Sequence, residues 1–227
     1  MIKLIERNNI FARFKIIASE IAKIQDSFYD HELYSDIEDD NDEKIYRAAF
    51  DALNYEKKQQ NYDIKILTIE NKNIKTYSKV LHGAISKLFN SIDVKEIFII
   101  SALKINFFDS LYNKYKPLTN AYKKLEEITN VKYYDEALCL KELSEEITDI
   151  IFWLTRCCPD MENIIIFDKL ERYYLNICKY GNIHFTGLNG NKISKEVIAK
   201  IGLRCIEGRE YDQFSDDGAI NGRRINI

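Results

Sequence analysis

Glycine is nearly missing from most of this chain. Of its eight glycines only Gly83 precedes Gly181, while Gly181, Gly187, Gly190, Gly202, Gly208, Gly218 and Gly222 crowd the end. Proline is scarcer still, with Pro117 and Pro159 alone. Glycine serves where a backbone takes positive φ or turns tightly, and proline where an element must stop. Their scarcity excludes frequent breaks before residue 180 and predicts long elements there, helices above all. The glycine-rich remainder predicts short strands and turns. The expected fold class is mainly α, a multi-helix domain with a small C-terminal β-containing segment, α+β overall.

Strong charge of either sign is also lacking. The net charge is −3 and the pI near 5.8, which excludes the strongly basic balance of a dedicated nucleic-acid binder. A membrane span needs about 18 apolar residues in a row. The stretches 97–108 and 147–154 fall short, and Lys104 interrupts the first. The start, MIKLIERNN, has no apolar run of signal-peptide length. Five cysteines, Cys139, Cys157, Cys158, Cys178 and Cys205, form no CxxC pair and read as reduced thiols that pack as small apolar groups. These absences predict a cytoplasmic protein with neither membrane nor nucleic acid as partner. At 227 residues and 46% hydrophobic the chain can bury one sizeable core. No linker-like tract divides it, so one domain over 1–227 is expected, with 181–227 packed on a helical part, 1–180.

What is present is helical spacing. Ile10, Phe14, Ile17, Ile21 and Ile24 recur at three- and four-residue steps. Ile45, Ala49, Ala52 and Leu53 mark a second face, behind Asp42 and Glu43 in its first turn. Ile74, Tyr77, Leu81, Ile85 and Leu88 mark a third. Asp93 is placed to cap a helix with Val94, Ile97, Phe98, Leu103, Phe107 and Leu111 on its face, and Pro117 suits the first turn of the next. Residues 135–158 continue with Leu138, Leu143, Ile147, Ile150, Ile151 and Leu154. Residues 161–180 read as a helix closed by Gly181, or as a buried strand at 164–167. Residues 63–69 also read either way. Beyond Gly181 follow a strand at 182–187, an Asn189-Gly190 turn, a helix capped by Ser194 and stopped by Gly202, and short strands at 203–208 and 210–214.

The densest chemical feature is Asp36, Glu38, Asp39, Asp40, Asp42 and Glu43, six acids in eight residues. An EF-hand calcium loop fails on spacing, since its sixth position is Asn41 and its twelfth Arg47. The run is then either a solvated loop or a docking surface for a basic partner. Asp63, Glu70 and Lys72 approach the Asp and Glu-x-Lys of metal-dependent nucleases, yet the two acids would share one short strand. His31, His82 and His184 are isolated, and HExxH is absent. Cys157, Cys158, Cys178 and His184 lack zinc-ligand spacing. GxGxxG, GxxxxGK[ST] and GxSxG are missing too. No catalytic residue, cofactor or metal is assigned, which favours a non-enzyme. Arg204, Glu207, Arg209, Glu210, Tyr211, Asp212, Asp216, Asp217, Arg223 and Arg224 form either a recognition cluster or an ordinary solvated end. The expected function is binding and neutralising another, basic protein through the acidic run, as a bacterial immunity-type inhibitor does. The alternatives are a metal-dependent nuclease and a helical scaffold or self-associating protein.

Overall fold

The computed structural model describes residues 2–30, 44, 47–71, 73–105, 107, 115–157, 163–207 and 214. Among them run eight strands and six helices. In chain order they are β1 (Lys3–Ile5), α1 (Arg7–Arg13), α2 (Lys15–Phe28), β2 (Asp63–Thr68), α3 (Ile74–Ser91), β3 (Ile97–Ser101), α4 (Lys116–Thr129), β4 (Ala137–Leu140), α5 (Glu145–Cys157), β5 (Ile164–Asp168), β6 (Tyr173–Ile177), β7 (Ile183–Gly187), α6 (Lys195–Lys200) and β8 (Arg204–Cys205). All eight strands form one sheet, in the order β1-β4-β3-β5-β6-β7-β2-β8. Every neighbouring pair is antiparallel.

This corrects the expected fold class. The protein is not mainly helical, and its β structure is not confined to the end, since six of the eight strands precede Gly181. Among the described residues, 49–58, 94–105 and 135–144 are not helical as expected, whereas at 164–167 the strand alternative holds. β3 and β5 are buried at all five of their positions. Strands covered by helices on both faces are apolar throughout and carry no period of two. Ile97, Ile99, Ile164 and Ile166 point into the core shared with α3, α4 and α5. Phe98, Ile100, Ile165 and Phe167 point the other way, toward α1 and α2. Asp93 does not cap a helix; its φ of +54° turns the chain from α3 into β3. The 161–180 segment is a hairpin, β5–β6, paired at Ile166↔Leu175 and Phe167↔Tyr174.

Local signals fared better. Asn73 caps α3 by accepting the Lys75 N–H at 3.0 Å, Pro117 lies in the first turn of α4, and Ser194 caps α6. The 63–68 segment is strand. Asn189 and Gly190 take φ of +53° and +76°, the geometry of a type I′ turn, closed by the Asn191 N–H to Leu188 carbonyl bond at 2.9 Å. The single helix expected through Ile10 and Ile24 is broken at Phe14, whose φ, ψ of −112°, 83° separate α1 from α2. The break delivers the Phe14 ring to Phe98 and Phe167, at centroid distances of 4.7 and 5.2 Å. Phe98 and Phe167 are themselves stacked at 5.2 Å. Glu171, in the β5–β6 turn, accepts the N–H groups of Ile16 and Ile17 at 2.7 and 2.9 Å. That carboxylate serves the first turn of α2, where helix N–H groups lack internal partners.

Candidate functional site

The most developed polar arrangement lies where α1, α2 and the end of β3 meet. Arg7 opens α1, yet it is only 4% exposed. Its Nε donates to Asp51 Oδ2 at 2.6 Å, Nη2 to Asp51 Oδ1 at 3.0 Å, and Nη1 to the Ser101 carbonyl at 2.7 Å. Gln25, fully buried in α2, donates to Asp51 Oδ1 at 3.0 Å and to the Ala102 carbonyl at 2.7 Å. Its own carbonyl oxygen accepts the Ala52 N–H at 2.7 Å. A buried cation survives only with a counter-charge and filled hydrogen bonds, and here both come from the 51–52 turn and the carbonyls of Ser101 and Ala102 at the end of β3.

This frame forms the inner wall of a cleft of about 380 Å³. Four acids, Glu6, Asp51, Asp135 and Glu136, and three cations, Arg7, Arg47 and Lys104, line it. Lys104 reaches Asp135 at 3.7 Å, both about two-fifths exposed, so solvent weakens that pair. Glu136 differs: its Oε2 is shielded from solvent and makes no hydrogen bond among the described residues. Beside it Tyr134 stacks on Phe107 at 5.1 Å, and burial, reinforced by the Glu136 charge, pushes its phenol well above the usual range. The cleft holds a fixed guanidinium on its inner wall and mixed charge around it, four acids and three cations in all, an arrangement suited to binding a small charged group.

The acidic run Asp36, Glu38, Asp39, Asp40, Asp42 and Glu43 lies outside the described residues, but Arg47 and Ala48 of the cleft wall follow it closely in the chain. The nuclease residues do not converge. Six residues of β2 at about 3.3 Å each already separate Asp63 from Thr68 by roughly 16 Å, and Glu70 lies beyond. Burial opposes ionisation of Asp63, but the ammonium of Lys65 and the Ile193 N–H outweigh it and hold its carboxyl below the usual range. Glu70 pairs with Arg204 at 3.2 Å, and Lys72 lies outside the described residues. No three His, Cys, Asp or Glu side chains cluster as metal ligands among the described residues. His82 lies between α3 and α5, 3.4 Å from Thr148 Oγ1, and His184 is on β7. Of the C-terminal cluster only Arg204 and Glu207 are described; Glu207 pairs with Lys195 at 2.6 Å.

Arg7, Gln25, Asp51 and Glu136 escaped the sequence reading. One signal was present: Gln25 continues the Ile17, Ile21 stripe by one more four-residue step, a polar group on an apolar face. No helix among the described residues is long and apolar enough to cross a membrane. Compared with known protein families, curated proteins and solved structures, the chain matches none.

Proposed function

We propose that this chain binds and neutralises a basic protein, in the manner of an immunity-type inhibitor. Asp36, Glu38, Asp39, Asp40, Asp42 and Glu43 supply the long-range attraction, and the cleft receives one cationic side chain. The observation that carries the reading is Glu136, whose shielded oxygen makes no hydrogen bond among the described residues in a cleft that four acids and three cations line. A shielded carboxylate oxygen without a donor is costly, and a partner's guanidinium or ammonium that reaches it would relieve that cost. A nuclease must present cationic groups to phosphates, so an acidic surface can occupy them. Exposed acids chiefly raise the association rate, whereas a desolvated pair governs dissociation.

The test is affinity capture from the native host with three forms of the full chain: wild type, a form with the six acids changed to Asn or Gln, and Glu136→Gln. Wild type should capture a basic protein. With that partner purified, the six-acid variant should associate more slowly and with less salt dependence, and Glu136→Gln should dissociate about tenfold faster. Identical behaviour of all three forms, or capture of no basic partner, would defeat the proposal. Capture of the chain's own copies alone would favour self-association.

A further inference from the structure

On the sheet face that carries α3 and α5, four of the described residues surround one aromatic ring. Phe214 meets Tyr77 edge-on, with centroids 4.8 Å apart at 86°, and Phe152 at 5.8 Å and 64°. The guanidinium of Arg156 lies 4.3 Å from the centroid of the Phe214 ring. The fourth wall is Gly181, where an added Cβ would come within 2.8 Å of Phe214 Cε2. These walls are fixed by bonds of their own. The Tyr77 hydroxyl donates to the Gly181 carbonyl, and Arg156 Nη1 donates to the Lys179 carbonyl at 2.7 Å. Edge-on rings and a cation over the face are the contacts a benzene ring favours through its quadrupole.

We infer that Tyr77, Phe152, Arg156 and Gly181 form a binding site for an aromatic side chain, filled by Phe214 as an intramolecular ligand. The contact fastens Phe214 to the α3–α5 layer. It uses no residue of the charged cleft and stands independently of the proposed function. Gly181 keeps the space open, since any side chain there would run into the ring. The hydrogen bonds that hold Tyr77 and Arg156 do not involve Phe214, so the site should keep its shape when the ring leaves. Phe214 is partly buried, so its truncation leaves an apolar notch through which a small aromatic molecule can enter from solvent.

The chain carries one tryptophan, Trp153, whose ring lies 5.1 Å from Phe152, so its fluorescence reports on the site. The full-length wild type and Phe214→Ala would be titrated with N-acetylphenylalaninamide, using N-acetylalaninamide as the non-aromatic control. Phe214→Ala should show a saturable change in Trp153 emission with the aromatic amide only. Its apparent affinity should exceed that of wild type at least tenfold, and adding Arg156→Gln should weaken it several-fold. Phe214→Leu, which keeps apolar bulk without a ring, serves if the alanine form does not fold. An equal response in wild type and variant, a response to both amides, or indifference to Arg156→Gln would overturn the inference.

Discussion

Asp51→Ala isolates the buried charge pair beneath the cleft. Its removal would leave the Arg7 guanidinium, with a side chain 3% exposed, holding only the Ser101 and Ala102 carbonyls. Gln25 would lose one acceptor as well. Breaking a buried pair from one side typically costs about 3–5 kcal/mol, because an uncompensated charge stays in a poor solvent. The Asp51 side chain is 16% exposed, so water softens the loss and the lower end, about 3 kcal/mol, is expected. Against the 5–15 kcal/mol of a typical domain that is a large fraction.

The decisive measurement is a double-mutant cycle by urea denaturation with Arg7→Met, Asp51→Leu and the pair together. Removing both charges leaves no orphan ion, so the double variant should cost about 2 kcal/mol less than the sum of the singles. Raising salt should change the coupling little, since shielded pairs are weakly screened. Asp26→Ala, which breaks the half-exposed Lys57–Asp26 pair at 2.6 Å, should cost less than about 1 kcal/mol. Additive singles, or Asp51→Ala costing under about 1 kcal/mol, would show that Arg7 is not held as a buried ion and would remove the fixed wall of the cleft.

Glycine scarcity proved a poor guide to helix because other residues took the strained positions. Asp93, Asn130 and Glu171 adopt φ of +54°, +58° and +52°. Asn, and to a lesser degree Asp, tolerates this region through local hydrogen bonding. The β5–β6 turn is organised instead by Asp168, whose carboxylate accepts the Arg172 and Tyr173 N–H groups at 2.7 and 3.0 Å. Tight turns therefore occur where the sequence has no glycine. Ile97–Ile100, read as helix, and Ile164–Phe167, read either way, misled for a different reason: when every position is buried, periodicity carries no information. What was legible was local. The caps at Asn73 and Ser194 act on N–H groups two or three residues away. Strand partners such as Leu4 and Leu138 lie far apart in the chain, and single-residue spacing says nothing of them.

The cleft was illegible for the same reason. Arg7, Gln25, Asp51 and Ser101 come from four segments, and only the folded sheet brings them together. Asp63 and Glu70 were near neighbours in sequence, but the extension of β2 that the spacing suggested is what holds them apart. Proximity along a strand works against a shared metal, whereas the topology gathered residues no motif had joined.

Three further substitutions test the packing. Gly83→Ala, mid-helix in α3 with nothing within 4 Å of a new Cβ, should stabilise by about 0.5–1 kcal/mol. Gly187→Ala, whose Cβ would run into the Asn191 carbonyl oxygen, should destabilise by about 1–3 kcal/mol. Thermal melts of the two must therefore shift in opposite directions, and a shared direction would contradict the packing at one of them. Glu171→Gln tests the link between the β5–β6 turn and α2. Burial raises the carboxyl pKa of Glu171, and the two N–H bonds from Ile17 and Ile16 oppose this without cancelling it. A carboxyl whose folded pKa lies above the unfolded value, about 4.3, contributes stability that is complete below that value. The contribution fades as pH rises through the folded value. Glutamine keeps one acceptor oxygen for the helix and does not titrate, so the stability of Glu171→Gln relative to wild type should increase from pH 4 to pH 7 in urea melts. A difference that stays flat or falls over that range would mean that Glu171 is better solvated than its place between the turn and α2 implies.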